Sequence, residues 1–338
     1  ANRYAFRDLT MHQFKLEAKS DNFMLRGYTS SEDAGNSYDM RFLGWNLNRS
    51  WKSDEAWFTE YLGAYTGQVP NIAASDHEAA RAFADRDRLV PGTEEFQIMF
   101  DSLSTLADFE RGASLSEQSK MQHVEGLYDF SNMFNDKLEV VVGGNWRRYK
   151  LDSKGNLFND VDAPITFSEF GSYVQVAKGF LKDERLRILA SARYDKNNNF
   201  DGQFTPRASL VYSHGRRKEH NFRISYQTGF RNPDNQSQYI ALHAGVVNLL
   251  GGVSDNVLNY SNDFTYNDTD STTKTVTVTG DNIYNNSYTL ASVQKFANTQ
   301  NPADLVQASV DYVNPEQVAT YEIGYRGVFN KRLFLDLG

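Results

Sequence analysis

Along much of the chain, apolar and polar residues alternate one by one. Residues 220–231 read HNFRISYQTGFR, with Phe222, Ile224, Tyr226, Thr228 and Phe230 on one face and Arg223, Ser225, Gln227 and Arg231 on the other. A period of two marks a strand whose two faces meet different environments. Residues 185–195 repeat it, setting Leu186, Ile188, Ala190, Ala192 and Tyr194 against Arg185, Arg187, Ser191, Arg193 and Asp195. Residues 318–329 do so again, with Tyr321, Ile323, Tyr325 and Phe329 against Glu322 and Arg326. The same reading predicts strands over 11–19, 22–30, 37–48, 121–132, 138–149, 168–180 and 204–213, and one from near 333, eleven in all. Many are long, whereas a usual strand has about five or six residues and a tilted strand needs roughly 9 to 11 to cross a bilayer core.

The connections alternate as well. Short turns fall near 20 (KSDN) and at 133–137, 181–184, 214–219 and 330–332, while the links at 150–167, 196–203 and 231–317 are longer. Short turns at one end and long loops at the other are the asymmetry of an outer-membrane barrel, with the long loops outside the cell. The link at 231–317 is rich in Asn, Asp, Thr and Ser and has room for a small hairpin at 273–288; loops of this length are usually functional. Residues 49–120 break the pattern. Trp57, Tyr61 and Tyr65 fall four apart, Ser75 is placed to cap a helix and Pro91-Gly92 to end it, so a partly helical insert is expected. Up-and-down parity then lacks one strand, and EFQIMFD at 95–101, with Phe96, Ile98 and Phe100 alternating, is the candidate.

Two architectures fit the alternation: a soluble sandwich or barrel with its apolar face inside, and a membrane barrel with that face outside. The polar face favours the second. Arg147, Arg187, Arg193, Arg207, Arg223, Arg231, Glu322 and Arg326 lie there in facing rows, which suits a wide hydrated lumen, and their expected role is lumenal. An Arg turned toward lipid would cost about 2–4 kcal/mol at the midplane.

Composition narrows the picture. With 19 Tyr and 23 Phe the chain is rich in rings that form strands and collect at membrane interfaces. A net charge of -8, with Arg216, Arg217 and Lys218 as the nearest approach to a basic block, argues against a nucleic-acid partner. The absence of Cys removes disulfides, thiolate zinc sites and cysteine nucleophiles. Mean hydropathy is -0.59 and no apolar run reaches helical spanning length, which excludes a helical membrane protein but not a barrel. The first residue is Ala with no apolar signal segment after it, so a precursor's leader is expected to be missing or removed.

At FTPRASLVYSHG (204–215) and HNFRISYQTGFRNPDNQSQYI (220–240) the chain resembles TonB-dependent outer-membrane receptors, through Pro206, Arg207, Ala208, Ser209 and Leu210 and then Gly229, Phe230, Arg231 and Pro233. VNPEQVATYEIGYRGVF (313–329) resembles the next strand of that family, and residues 14–39 and 125–160 resemble members from the Bacteroidetes lineage. The resemblance implies an all-β fold: an antiparallel transmembrane barrel of about 22 strands in full, of which this chain, residues 1–338, is about half. It also implies a plug domain, energy supplied through TonB, and uptake of an extracellular solute: siderophore, cobalamin, glycan or peptide. A surface lipoprotein lid belongs to one branch of the family. No plug segment or TonB-contacting box is visible and no terminal aromatic follows Leu337-Gly338, so the chain is read as a fragment. A structural or assembly barrel without uptake and a secreted soluble β protein are the alternatives.

No catalytic constellation is present. The six His are scattered, without the metal-hydrolase spacing; Gly143-Gly144 and Gly251-Gly252 lack a phosphate-cradling context. His123, Glu125 and Asp129 share a strand face, more simply a solvated one, and Asp263, Asp268 and Asp270 lack the spacing of a calcium loop. Neither a cofactor nor a metal is expected, and the chain is not expected to be an enzyme. For solute capture, Tyr239, Tyr260, Phe264, Tyr266, Tyr284 and Tyr288 in the longest loop are candidate stacking platforms, with packing against the rim the plainer role for each.

Overall fold

A computed structural model describes residues 3–135, 137–243, 247–267, 272–330 and 332–338. Its framework is one antiparallel sheet of ten strands: β1 (Thr10–Lys19), β2 (Phe23–Asp33), β3 (Lys120–Asp129), β4 (Glu139–Leu151), β5 (Ile165–Phe180), β6 (Leu186–Asn197), β7 (Phe200–His214), β8 (His220–Arg231), β9 (Glu316–Phe329) and β10 (Leu333–Leu337). Each strand pairs with its neighbours in this order, and among the described residues the outer edges of β1 and β10 have no partner strand, so the sheet is open.

Register settles the faces. Ile188, Leu210, Ile224 and Ile323 are successive cross-strand partners in one row, and Ser191, Arg207, Gln227 and Thr320 form a row on the other face. The apolar face is bare: Ile224 is 55% exposed, Ile323 76% and Leu16 80%. A soluble sandwich would bury this face. Ten strands with their greasy side open to the surroundings fit a sheet built to stand in hydrocarbon, where the ladder satisfies the backbone.

Helices occupy the connection between β2 and β3: α1 (Met40–Trp51), α2 (Asp54–Tyr65), α3 (His77–Ala84) and α4 (Glu94–Thr105). The strand expected at 37–48 is therefore mostly α1. Asp39 caps it, its Oδ1 accepting from the N–H groups of Arg41 (2.8 Å) and Phe42 (3.3 Å), and Phe42, Leu43 and Asn46 form its buried face. The extra strand expected at 95–101 is α4, capped by Thr93, whose Oγ1 accepts from Phe96 N–H at 3.2 Å. Both corrections remove the parity problem: β2 runs to the helical end and β3 returns from it as its direct antiparallel partner.

Two loop expectations also change. The link at 196–203 is a two-residue turn at Asn198–Asn199, because β6 and β7 extend until Asn197 faces Phe200. The hairpin expected at 273–288 pairs Ser261–Asn267 with Thr273–Thr279 instead, and Gly280–Asn286 continues as helix. Two dry clusters hold the long connections together. Phe42, Leu43, Leu103 and Phe109 pack with Ile240 and Leu242, and Leu151, Phe158, Phe167 and Phe200 pack with Tyr239 and Val253. Both lie around the end of the sheet that bears the long connections and the Asn198–Asn199 turn, opposite the turns that join β1 to β2, β5 to β6 and β7 to β8.

Candidate functional site

On the polar face near that end, β4, β5, β6 and β7 form a wall, and residues 232–238 of the longest connection fold back over it. Between wall and loop lies a cleft of about 510 Å³. Arg147, Arg193 and Lys196 line it with Glu169, Asp195, Asp201 and Asp234, among Asn and Gln side chains.

The charges are tied to one another. Arg147 on β4 faces Glu169 on β5 across the ladder and donates from Nη1 to Oε1 at 2.9 Å. Glu169 also accepts from the Tyr149 hydroxyl (3.4 Å), Asn197 Nδ2 (3.3 Å) and Asn232 Nδ2 (3.5 Å), joining three strands and the loop. On its other side, Arg147 Nε donates to His123 Nδ1 at 3.0 Å. A guanidinium only donates, so Nδ1 is the acceptor and a neutral ring carries its proton on Nε2, 3.4 Å from Glu125 Oε2. His123 is only 4% exposed, and its ring sits 4.7 Å from that of Tyr28. Glu125 pairs with Arg26, which lies 3.8 Å from Glu17. The network thus runs from β1 to β6. Arg193 forms a second knot, donating to Asp195 Oδ2 and to Asn145 Oδ1, each at 2.7 Å.

The roof is fastened by rings and amides. Phe167 lies between Tyr149 (centroids 4.9 Å apart) and Tyr239 (5.4 Å), and Asn199 Nδ2 donates to Gln238 Oε1 at 2.7 Å. Burial pushes the Tyr239 hydroxyl up to about 12, so it stays a neutral donor. In the same cap, burial raises the Glu117 carboxyl to about 7, helped by Glu32 and Asp160 nearby.

Of the polar-face residues expected from sequence, only Arg147 and Arg193 line this cleft. Arg187 pairs with Glu139 (2.6 Å), Arg326 with Asp336 (2.7 Å), and Arg223 and Arg231 stand 4.0 Å from Glu322 and Glu316. Arg207 faces Ser191 and Gln227 across the ladders. The loop rings divide. Tyr239 and Tyr260 are buried at 3% and 5%, Phe264, Tyr266 and Tyr288 are exposed, and Tyr284 is half-buried against Tyr312. Glu169, Asp195, Asn145 and Gln238 were not expected; for the first three the only signal was their place on the polar parity of a strand. Gly143 serves packing, since a Cβ there would come within 2.6 Å of the Tyr173 ring. Asp268 and Asp270 lie outside the described residues, and among the described residues no group of three or more His, Cys, Asp or Glu is arranged to hold a metal.

A lipid-type outer face and a hydrated, charge-knotted inner face define a wall segment of an outer-membrane β-barrel. The family model of the TonB dependent receptor-like β-barrel matches residues 2–338. The chain belongs to that family, one of outer-membrane transport receptors rather than of enzymes. Among solved structures it is similar to the siderophore receptor PirA from Pseudomonas aeruginosa, at 7% identity and a TM-score of 0.41, covering 94% of this chain and 36% of PirA. It is also similar to a mutant of the ferric enterobactin receptor PfeA from the same organism, at 9% identity and a TM-score of 0.42, covering 95% and 33%. The chain thus spans about a third of the length of these receptors. No curated protein matches it.

Proposed function

We propose that this chain is part of the wall and extracellular cap of a receptor that captures a solute outside the cell and admits it when a plug domain is rearranged through TonB. The observation that carries the reading is the cleft between the polar wall and the folded-back loop. Its lining offers donors and acceptors already held in place, so a polar solute meets a preorganised surface. The eight lumenal charges named from sequence serve this proposal in two roles: Arg147 and Arg193 toward solute, the remainder toward the plug. The exposed rings Phe264, Tyr266 and Tyr288 supply apolar platforms at the mouth. The Bacteroidetes resemblance of residues 14–39 and 125–160 extends the proposal to a surface lipoprotein over the mouth.

The test is uptake by cells carrying the whole receptor, with and without TonB, offered labelled ferric chelates, cobalamin, oligosaccharides and peptides. TonB-dependent entry of one class, lost in the Arg193→Ala and Glu169→Ala variants at unchanged receptor level, is the expected result. Equal levels of every solute in both strains would favour an assembly barrel instead.

A further inference from the structure

The two faces of the sheet treat their charges differently. On the inner face most arginines find carboxylates across or along the ladder, as in Arg147 with Glu169 and Arg326 with Asp336, Arg207 being the exception. On the outer face, at the end bearing the long connections, Lys120 of β3 and Lys150 of β4 are direct cross-strand partners, and Arg148 lies two residues along, opposite Gln122. All three are exposed. Like charges set directly opposite each other destabilise a sheet. Among the described residues Asp152, 2.7 Å from Lys150, is the one carboxylate paired with them, and the side chains of Lys120 and Arg148 make no ion pair or hydrogen bond. Asp255 lines the same shallow cleft as Arg148 but makes no ion pair with it. Immediately below them on the same face, Val124, Trp146 and Phe170 are row partners, all exposed. The order along β4 is thus apolar Val142, then Trp146, then Arg148 and Lys150, which is the order of hydrocarbon, interface and headgroup.

We infer that Lys120, Arg148 and Lys150 form a docking surface for the phosphate-bearing headgroup of an outer-leaflet lipid, whose acyl chains lie on the Val124–Trp146–Phe170 row. A phosphate between the two lysines removes their mutual repulsion, and its acyl chains cover the apolar row just below. Ser168, the partner of Arg148 on β5, adds a hydroxyl donor beside it. The inference rests on outer-membrane placement and is independent of solute uptake.

The test places the full receptor chain in nanodiscs of phosphatidylcholine with and without diphosphoryl lipid A, then measures lipid A retained per protein after exchange into detergent. The wild type retains it; the Lys120→Gln/Arg148→Gln/Lys150→Gln variant retains at least about tenfold less, since each cation near an anionic surface contributes about fivefold. Lys178→Gln, at the other end of the same face, behaves as wild type. Heat-modifiable migration identifies folded protein, and should the triple variant not fold, Arg148→Gln alone shows a severalfold loss. Retention by the triple variant at the wild-type level overturns the inference. So does full displacement of lipid A by inorganic phosphate, which would assign the cluster to a free anion. Solute uptake by the triple variant stays normal, which separates this result from a failure of the transport reading.

Discussion

Ile224 shows how one side chain reports its environment. It shares a row with Ile188, Leu210 and Ile323, and more than half of its surface is open. In water such a row would be an aggregation hazard; in hydrocarbon it costs nothing. Replacing Ile224 by Arg is expected to cost about 2–4 kcal/mol and to reduce the heat-modifiable folded band, whereas Gln227→Arg, one residue away on the wet face, assembles normally. Tyr239 makes the complementary case. Its ring is buried on Phe167, so Tyr239→Ala removes the clamp between loop and wall at an expected local cost of about 3–5 kcal/mol. The amide of Ala241, which donates to Leu157 O at 2.8 Å, should then lose hydrogen-exchange protection while the β6–β7 ladder keeps its own. The facing of Arg147 or Arg193 could be read from parity alone. Their partners could not, because a cross-strand neighbour depends on register, and register depends on loop lengths that local alternation does not encode.

At the scale of elements, nine of the ten sheet strands follow the period-two signal closely, and β10 begins where it was expected. The misreadings cluster in 37–48 and 95–101, where aromatic residues alternate over a few positions yet also fall at helical spacing. Phe96, Phe100 and Leu103 share a helical face, and a capping Thr93 followed by Glu94 and Glu95 decides for the helix. Short apolar runs are ambiguous in this way, whereas a ten-residue alternation is not. The turn at Asn198–Asn199 was hidden because polar Asn197, Asp201 and Gln203 look like loop but lie on the polar face as strand. One element carries a titration. Glu117 precedes β3 and is held by its surroundings at about 7, above the ordinary carboxylate value of 4.5. The folded state therefore keeps a proton that the unfolded segment releases, so local stability falls as pH rises from 4.5 to about 7 and levels off above it. The Ala34 amide, which donates to the Glu117 carbonyl at 2.9 Å, reports this by hydrogen exchange: its protection should decline across that window in the wild type and stay level in Glu117→Gln.

For the whole molecule, the claim that matters is which side of the sheet faces lipid. The long connections close over one end through two dry clusters, all the short turns but Asn198–Asn199 lie at the other, and β1 and β10 offer edges that only further strands satisfy in a bilayer. Uptake, plug contact and lipid docking all depend on the apolar face pointing outward. Trp146 lies on that face, 41% exposed. In the whole receptor with every other tryptophan replaced by Phe, Trp45, Trp51 and Trp57 among them, its fluorescence in reconstituted membranes measures the orientation directly. The account predicts strong quenching by bromine-labelled acyl chains and little by aqueous acrylamide. Strong acrylamide quenching with no effect of brominated lipid would contradict it.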